Sequence, residues 1–285
     1  VSTAQTPDID ALSLVVEGKR EVASGIWQFD LASLDGDDLP AFDPGAHLLV
    51  RTPAGVLRQY SICSSSSDRR RYQIGVKREL AGRGGSASMA EDLCEGDVVS
   101  VSLPLNHFPL EPAEGPTLLI AGGIGITPIL SMARQLQEQG RAFRLVYCAR
   151  SPENAAFVDV LTAPEFAKRT AFQYDEGDLN KALDVKSLQA SCPPETHLYC
   201  CGPRGLMQAV REATRHWPPG HVHFEDFGGS AEPNSGDTAF RVNLARSGGS
   251  LEVGAQETIL QAMRRHGLDV PSSCEAGACG ACRTK

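Results

Sequence analysis

Three thiols crowd one short loop, Cys274-Glu275-Ala276-Gly277-Ala278-Cys279-Gly280-Ala281-Cys282. This C-x4-C-x2-C spacing supplies the first three ligands of a plant-type 2Fe–2S centre. Such clusters need soft thiolates, and the Ala and Gly residues between the ligands let backbone N–H groups approach the sulfurs. A zinc site or a reducible cysteine loop is the competing reading, although zinc favours C-x2-C pairs. Cys274, Cys279 and Cys282 are therefore the metal-ligand candidates. A plant-type cluster takes a fourth cysteine further on, whereas the chain given stops at Lys285, so residues past it are expected to have been lost by truncation, proteolysis or disorder. Cys200 and Cys201 end a predicted buried strand elsewhere and read as core thiols.

A second group of residues suits a nucleotide. Leu119-Ile120-Ala121-Gly122-Gly123-Ile124-Gly125-Ile126-Thr127-Pro128 reads as a strand, a glycine-rich turn and a helix start. Glycines there let the backbone approach a pyrophosphate, and free N–H groups at a helix start favour its charge. The spacing departs from G-x-G-x-x-G, so a purely structural tight turn is an equal alternative on spacing alone. Cys200-Cys201-Gly202-Pro203 supplies another turn at the carboxyl edge of the same predicted sheet, where α/β proteins bind ligands.

A third group comprises Arg58-Gln59-Tyr60-Ser61, Val76-Lys77-Arg78 and Gly82-Arg83-Gly84-Gly85-Ser86. Arg58 and Ser86 offer charge-assisted and hydroxyl donors to a phosphate, Gly84 and Gly85 expose backbone N–H groups, and Tyr60 can pack against an aromatic ring system. Together they suit a flavin mononucleotide. A β-hairpin with a surface Arg–carboxylate pair and a glycine loop is the plain alternative.

The elements that must carry these groups change character along the chain. To about residue 110, short alternating segments such as Ile26–Leu31 and Tyr72–Val76 between Gly, Pro and Asp turns read as a small antiparallel β-barrel. From Thr117, buried-strand runs alternate with helical periodicity: Thr117–Ala121 then Pro128–Leu136, and His197–Cys200 then Gly205–Arg211. That alternation implies a parallel α/β sheet. Residues 228–237 contain no large apolar side chain and read as linker. A hairpin, Phe240–Leu244 and Leu251–Val253, then leads to a helix from about Glu257 to His266, with Ile259, Leu260 and Met263 on one face and Gly267 as its stop. The predicted domains are 1–110, 111–227 and 239–285, with 228–238 as linker.

Composition narrows the class. A chain of 285 residues exceeds one compact core, and 41% hydrophobic with 22% charged residues is a globular balance. No apolar run reaches the roughly 18 residues of a membrane span, so no membrane partner is expected. A net charge of −8 repels nucleic acid, and Arg69-Arg70-Arg71 reads as a solvated loop. Nothing at the N-terminus marks secretion, and a cytoplasmic location is expected.

In this order, R-x-Y-S, G-G-I-G-I-T-P, C-G-P and C-x4-C-x2-C resemble the ferredoxin–NADP reductase superfamily. Within it, the chain is most similar to the phthalate dioxygenase reductase and vanillate demethylase reductase family, over essentially its whole length. Val101–Pro104 through Phe108–Leu110, and His223–Gly228, look alike too. The resemblance implies a β-barrel flavin domain, an α/β nucleotide-binding domain and a β-grasp-like ferredoxin domain, incomplete here. It implies that Arg58, Tyr60 and Ser61 contact FMN, with Val76 and Lys77 lining it, Gly84, Gly85 and Ser86 near its phosphate, and Thr127 and Phe227 approaching its ring. Gly123, Gly125, Arg150, Cys201, Gly202 and Pro203 would form the NAD site. NADH is expected over NADPH, although an arginine at Arg150 can meet a 2′-phosphate. The implied activity moves hydride from NADH to FMN and single electrons to the cluster, without a general base. The implied final acceptor is a partner oxygenase, of the Rieske ring-dioxygenase or O-demethylase kind. A stand-alone NAD(P)H:flavin reductase or oxidase, and a redox-sensing protein with a zinc or disulfide loop, are the alternatives. Metal analysis of the intact protein discriminates among them: two irons per chain are expected, and zinc in their place would overturn the cluster reading.

Overall fold

The computed structural model describes residues 11–79, 82, 84–227, 238–245, 248–268 and 270. The three metal-ligand candidates and the 228–237 linker lie outside these residues. The chain forms two compact units, divided between Asp226 and Phe227.

The first unit opens with strands β1 (Leu12–Ala23), β2 (Ile26–Ser33), β3 (Ala46–Arg51), β4 (Leu57–Ser61), β5 (Arg71–Lys77), β6 (Val98–Val101) and β7 (Leu105–Asn106), and a short helix α1 (Gly85–Glu91) before β6. The sheet order is β4-β3-β6-β1-β2-β5, with β7 also on β3 and every pairing antiparallel. A bridge between Ile62 and Ile74 joins the two ends of this path, so the sheet closes as the predicted barrel. Period-two alternation sends Phe29 and Leu31 of β2, and Tyr72, Ile74 and Val76 of β5, into one core. Met89 of α1 fills the same core. Lys19 locks that helix: its ammonium donates to the carbonyls of Ala90 (2.8 Å) and Leu93 (2.7 Å), groups that a helix end leaves unpaired.

The same unit continues with a parallel sheet, β8 (Thr117–Gly122), β9 (Phe143–Ala149), β10 (Thr170–Tyr174), β11 (His197–Cys201) and β12 (Val222–Glu225), ordered β10-β9-β8-β11-β12. Helices α2 (Ile126–Glu138), α3 (Val158–Leu161), α4 (Pro164–Ala167), α5 (Val185–Ala190) and α6 (Arg204–Ala213) connect the strands. The order reverses between β8 and β11, the position at which doubly wound sheets open a crevice. One face packs Leu118, Ile120, Leu198 and Cys200 against Val185, Leu188, Met207 and Val210. The predicted strands and helices fall within these elements.

Barrel and parallel sheet meet at a contact that leaves no room for a side chain. A Cβ on Gly75 of β5 would lie 2.6 Å from Cγ2 of Thr127 in α2. Along the same helix, Ser131 donates to the Ser64 carbonyl (3.0 Å), Ser66 donates to Gln135 (2.5 Å), and Ser67 donates to Glu138 (3.2 Å).

The second unit shows a hairpin of β13 (Phe240–Asn243) and β14 (Ser250–Val253), followed by α7 (Ile259–Arg265). Gly267, at φ 72°, ends the helix as predicted. Two expectations change. Ile259 is 46% exposed, and Ala262, with Met263 and Leu268 beside it, packs on Leu251 and Val253 instead. Arg69-Arg70-Arg71 is not simply a solvated loop: Arg71 opens β5, and Arg69 donates twice to the Leu39 carbonyl (2.9 and 2.8 Å), anchoring the turn that buries Leu39.

The Gly75 contact makes a stability prediction. Gly75→Ala is expected to cost about 1–3 kcal/mol through overpacking, read by denaturant unfolding. Adding Thr127→Ser, which removes the opposing methyl, should recover much of that loss; a double variant no better than Gly75→Ala alone would place the strain elsewhere.

Candidate cofactor site

On the barrel side, β4 carries Arg58, Tyr60 and Ser61 past the start of α1. Arg58 lies directly against Gly85: a Cβ there would sit 2.9 Å from its Nε and 3.0 Å from its Cγ. Gly84 precedes it with φ 81°, a left-handed conformation that glycine adopts without penalty, and open space lies where its Cβ would be. Ser86 accepts from the Glu79 N–H at 3.0 Å through its hydroxyl oxygen, which leaves its proton free to donate. These residues form a guanidinium and backbone N–H cradle of the kind that holds a phosphate.

Further along β4, the Tyr60 hydroxyl and the Ser61 hydroxyl are buried and have no hydrogen-bond partner among the described residues. Buried polar atoms are rarely left unpaired, and these two side chains, which alternate across β4, each leave a hydroxyl that a polar partner can satisfy. Burial holds the Tyr60 phenol well above its ordinary range, against the opposing pull of Arg58, so it stays protonated and able to donate. Lys77, half-exposed on β5, pairs with Glu79 at 2.7 Å. Val76 differs from the rest: its side chain is wholly committed to the barrel core, so any contribution to a ligand comes from its main chain.

On the sheet side, two turns press backbone on backbone at the switch point. A Cβ on Gly125 would fall 2.3 Å from the Cys201 carbonyl oxygen, and one on Gly202 would fall 2.9 Å from Cα of Gly122. Gly123, at φ 54°, has open space where its Cβ would be. The glycines thus serve two ends: Gly122, Gly125 and Gly202 bring the turns together, and Gly123 keeps the mouth clear. Pro203 closes against Gly122, whose Cβ would meet its Cδ at 2.6 Å. Thr127 is buried and donates to the Ile124 carbonyl (3.0 Å), which directs its methyl to Gly75. Arg150 is exposed just past β9, and its carbonyl accepts from Glu176 N–H at 2.8 Å. Phe227 begins the second compact unit and is described apart from these groups.

Glu225, which sequence reasoning missed, pairs in register with Cys201 across β11 and β12. Its Oε2 is buried without a partner among the described residues, and burial pushes its carboxyl up from 4.5 to about 8. A neutral acid therefore lies beside the nucleotide turns, sparing an anionic ligand its repulsion. Burial likewise raises the Cys201 thiol well above its ordinary value, with Glu225 adding to the effect. Neither thiol of the Cys200-Cys201 pair is exposed, as expected of core cysteines. The sequence signal for Glu225 was its place in the His223–Gly228 segment that resembles the reductase family, which assigned it no role.

Two domain families match in agreement with this division: an oxidoreductase NAD-binding domain over residues 119–212 and a 2Fe-2S iron-sulfur cluster binding domain over residues 242–285. The phthalate dioxygenase reductase of Burkholderia cepacia is 48% identical over 98% of this chain and 87% of its own length. The chain belongs to the phthalate dioxygenase reductase family. A vanillate O-demethylase oxidoreductase of Pseudomonas putida is 41% identical over 96% of the chain and 87% of its own. A solved phthalate dioxygenase reductase, described as a modular structure for electron transfer from pyridine nucleotides to 2Fe–2S, superposes with a TM-score of 0.81 at 48% identity, covering 95% of this chain and 85% of that one. The fold expected from the motif order is thus the fold of this reductase family.

The buried carboxyl gives a pH prediction. Between about pH 4.5 and 8 the unfolded chain releases the Glu225 proton while the folded protein keeps it, so this group's contribution to stability falls as pH rises through that window. Glu225→Gln is expected to melt progressively higher relative to the parent from pH 5 to pH 8. A gap that does not change with pH would mean that the carboxyl ionises as it does in water.

Proposed function

We propose that this chain is the NADH-dependent reductase component of an oxygenase system, holding FMN on the barrel and passing single electrons through a 2Fe–2S centre to the oxygenase. The observation that carries the reading is the convergence of Arg58, Tyr60, Ser61 and Gly85 on one strand and helix start, in the same compact unit as the paired glycine turns. A bound flavin accepts hydride from a nicotinamide and releases electrons one at a time, which suits a one-electron cluster. The protein supplies position and charge. Arg58 and the N–H groups near Gly85 hold the phosphate, the Tyr60 and Ser61 hydroxyls satisfy polar ring atoms, and Lys77 lines the same strand pair. Gly123, Gly125, Cys201, Gly202 and Pro203 shape the dinucleotide crevice, with Arg150 at its β9 side. Cys274, Cys279 and Cys282 are thiolate donors with plant-type spacing, a soft set suited to iron–sulfur ligation.

The acceptor is an oxygenase that acts on an aromatic acid, in keeping with the phthalate and vanillate systems that the relatives' names record. The six described cysteines are all free, which suits a reducing cytoplasm. FMN is preferred to FAD because the family resemblance implies it and the sequence carries no separate adenine-binding segment.

Arg58→Ala is expected to weaken FMN binding about 10- to 100-fold, the worth of a charge-assisted hydrogen bond, while leaving the barrel folded. Flavin titration and circular dichroism read the two effects, and unchanged flavin occupancy would remove Arg58 from the site. Anaerobic NADH titration of the intact protein should bleach the flavin and then develop the reduced iron–sulfur signal. Cys279→Ser should keep the first change and lose the second; loss of both would refute the modular arrangement.

A further inference from the structure

His47, which no motif singled out, stands next to Ser61 on the flavin strand. The Ile62 N–H donates to the Ala46 carbonyl at 2.9 Å, the bond that flanks the next pair along the β3–β4 ladder. The next pair in register, His47 and Ser61, is then of the non-hydrogen-bonded kind, in which opposite side chains approach most closely. Cβ atoms in such pairs are about 4.5–5.5 Å apart, a gap that an imidazole nitrogen and a hydroxyl span by rotation of one side chain. On its other side His47 is in register with Leu105 of β7, which offers no polar partner.

His47 is fully buried, yet neither of its ring nitrogens has a hydrogen-bond partner among the described residues, and the Ser61 hydroxyl is in the same state. Three orphaned polar atoms on two adjacent side chains are a poor solution for a core, where apolar residues pack at no such cost. The nearest titratable neighbour is the exposed ring of His107, with centroids 5.4 Å apart. Burial first, and then His107, pulls His47 down to about 4, so its ring is neutral at physiological pH, with one nitrogen donating and one accepting.

We propose that His47 is a positioning residue whose imidazole hydrogen-bonds the Ser61 hydroxyl and thereby sets how that hydroxyl meets the flavin. The proposal rests on Ser61 being a flavin contact, as proposed above. When a His47 N–H donates to Oγ, the serine proton is left to point toward the ligand. Without the imidazole the hydroxyl rotates freely, and part of the binding energy is lost in ordering it.

A double-mutant cycle on the full chain, stripped of flavin and titrated with FMN by fluorescence quenching, tests this. His47→Leu and Ser61→Ala should each weaken FMN binding about 10-fold, and the double variant should bind about as weakly as either single one, because the two residues act as a unit. His47→Asn, which keeps a donor at this position, should recover most of the affinity. Melting of the flavin-free proteins checks folding, and His47→Leu should melt no lower than the parent, since it removes orphaned polar atoms. If it fails to fold, His47→Val, a better strand former, carries the same cycle. Parent-like affinity in the His47 variant, or losses that multiply in the double variant, would overturn the coupling while leaving Ser61 at the flavin. Parent-like affinity in Ser61→Ala would instead remove Ser61 from the site and the proposal with it.

Discussion

The close approach of two turns, Gly122–Gly125 after β8 and Cys201–Pro203 after β11, is the constraint on which the rest of the site depends. A carbonyl of one turn occupies the place where a side chain of the other would begin. Any residue larger than glycine at position 125 or 202 would push the two strand ends apart at the point where the sheet reverses its order. Everything that handles a nucleotide is referenced to that junction. Thr127 lies in the first turn of α2, two residues past Gly125, its methyl meets Gly75 on the barrel, and Gly75 shares β5 with Lys77. The proposed dinucleotide crevice and flavin strand are thereby held in one frame by contacts in which one partner is bare glycine backbone.

Charge is managed by burial more than by pairing. The exposed ion pairs, such as Lys77 with Glu79, stand in water and contribute little to stability. Tyr60, Cys201 and Glu225 are all held in their neutral forms by the low-polarity surroundings of the strand ends. Arg58 is thus the principal formal charge at the flavin strand, which suits a site that must welcome a phosphate without also attracting cations.

Much of this architecture was legible from residue order. Period-two runs in β2 and β5, and the change to strand–helix alternation at Thr117, follow from local sequence. What escaped is what depends on contacts between distant segments. Gly75 stood in the Tyr72–Val76 run without a role of its own, and only the approach of Thr127 explains it. Neither Glu225 nor His47 was given a role from sequence, since their meaning comes from register partners 24 and 14 residues away. The family resemblance gave both Val76 and Lys77 as lining the flavin, although strand alternation turns the two side chains to opposite faces and sends Val76 into the core. Ile259 was placed inward because it is apolar, but a helix of seven residues buries only a narrow stripe, and Ala262 occupies it.

The serine-rich loop after β4 adds a mechanical asymmetry. At its first turn, α2 touches the barrel through a methyl group and a bare backbone, a joint with no slack. Toward its far end the same helix is tied by hydroxyls of Ser66 and Ser67 to Gln135 and Glu138, bonds that water can replace one at a time at little cost. The seam is therefore stiff next to the cofactors and compliant away from them. Thermal breathing of the two layers would open the distant end first, so the spacing between β5 and the glycine turn before α2 is the last dimension to drift.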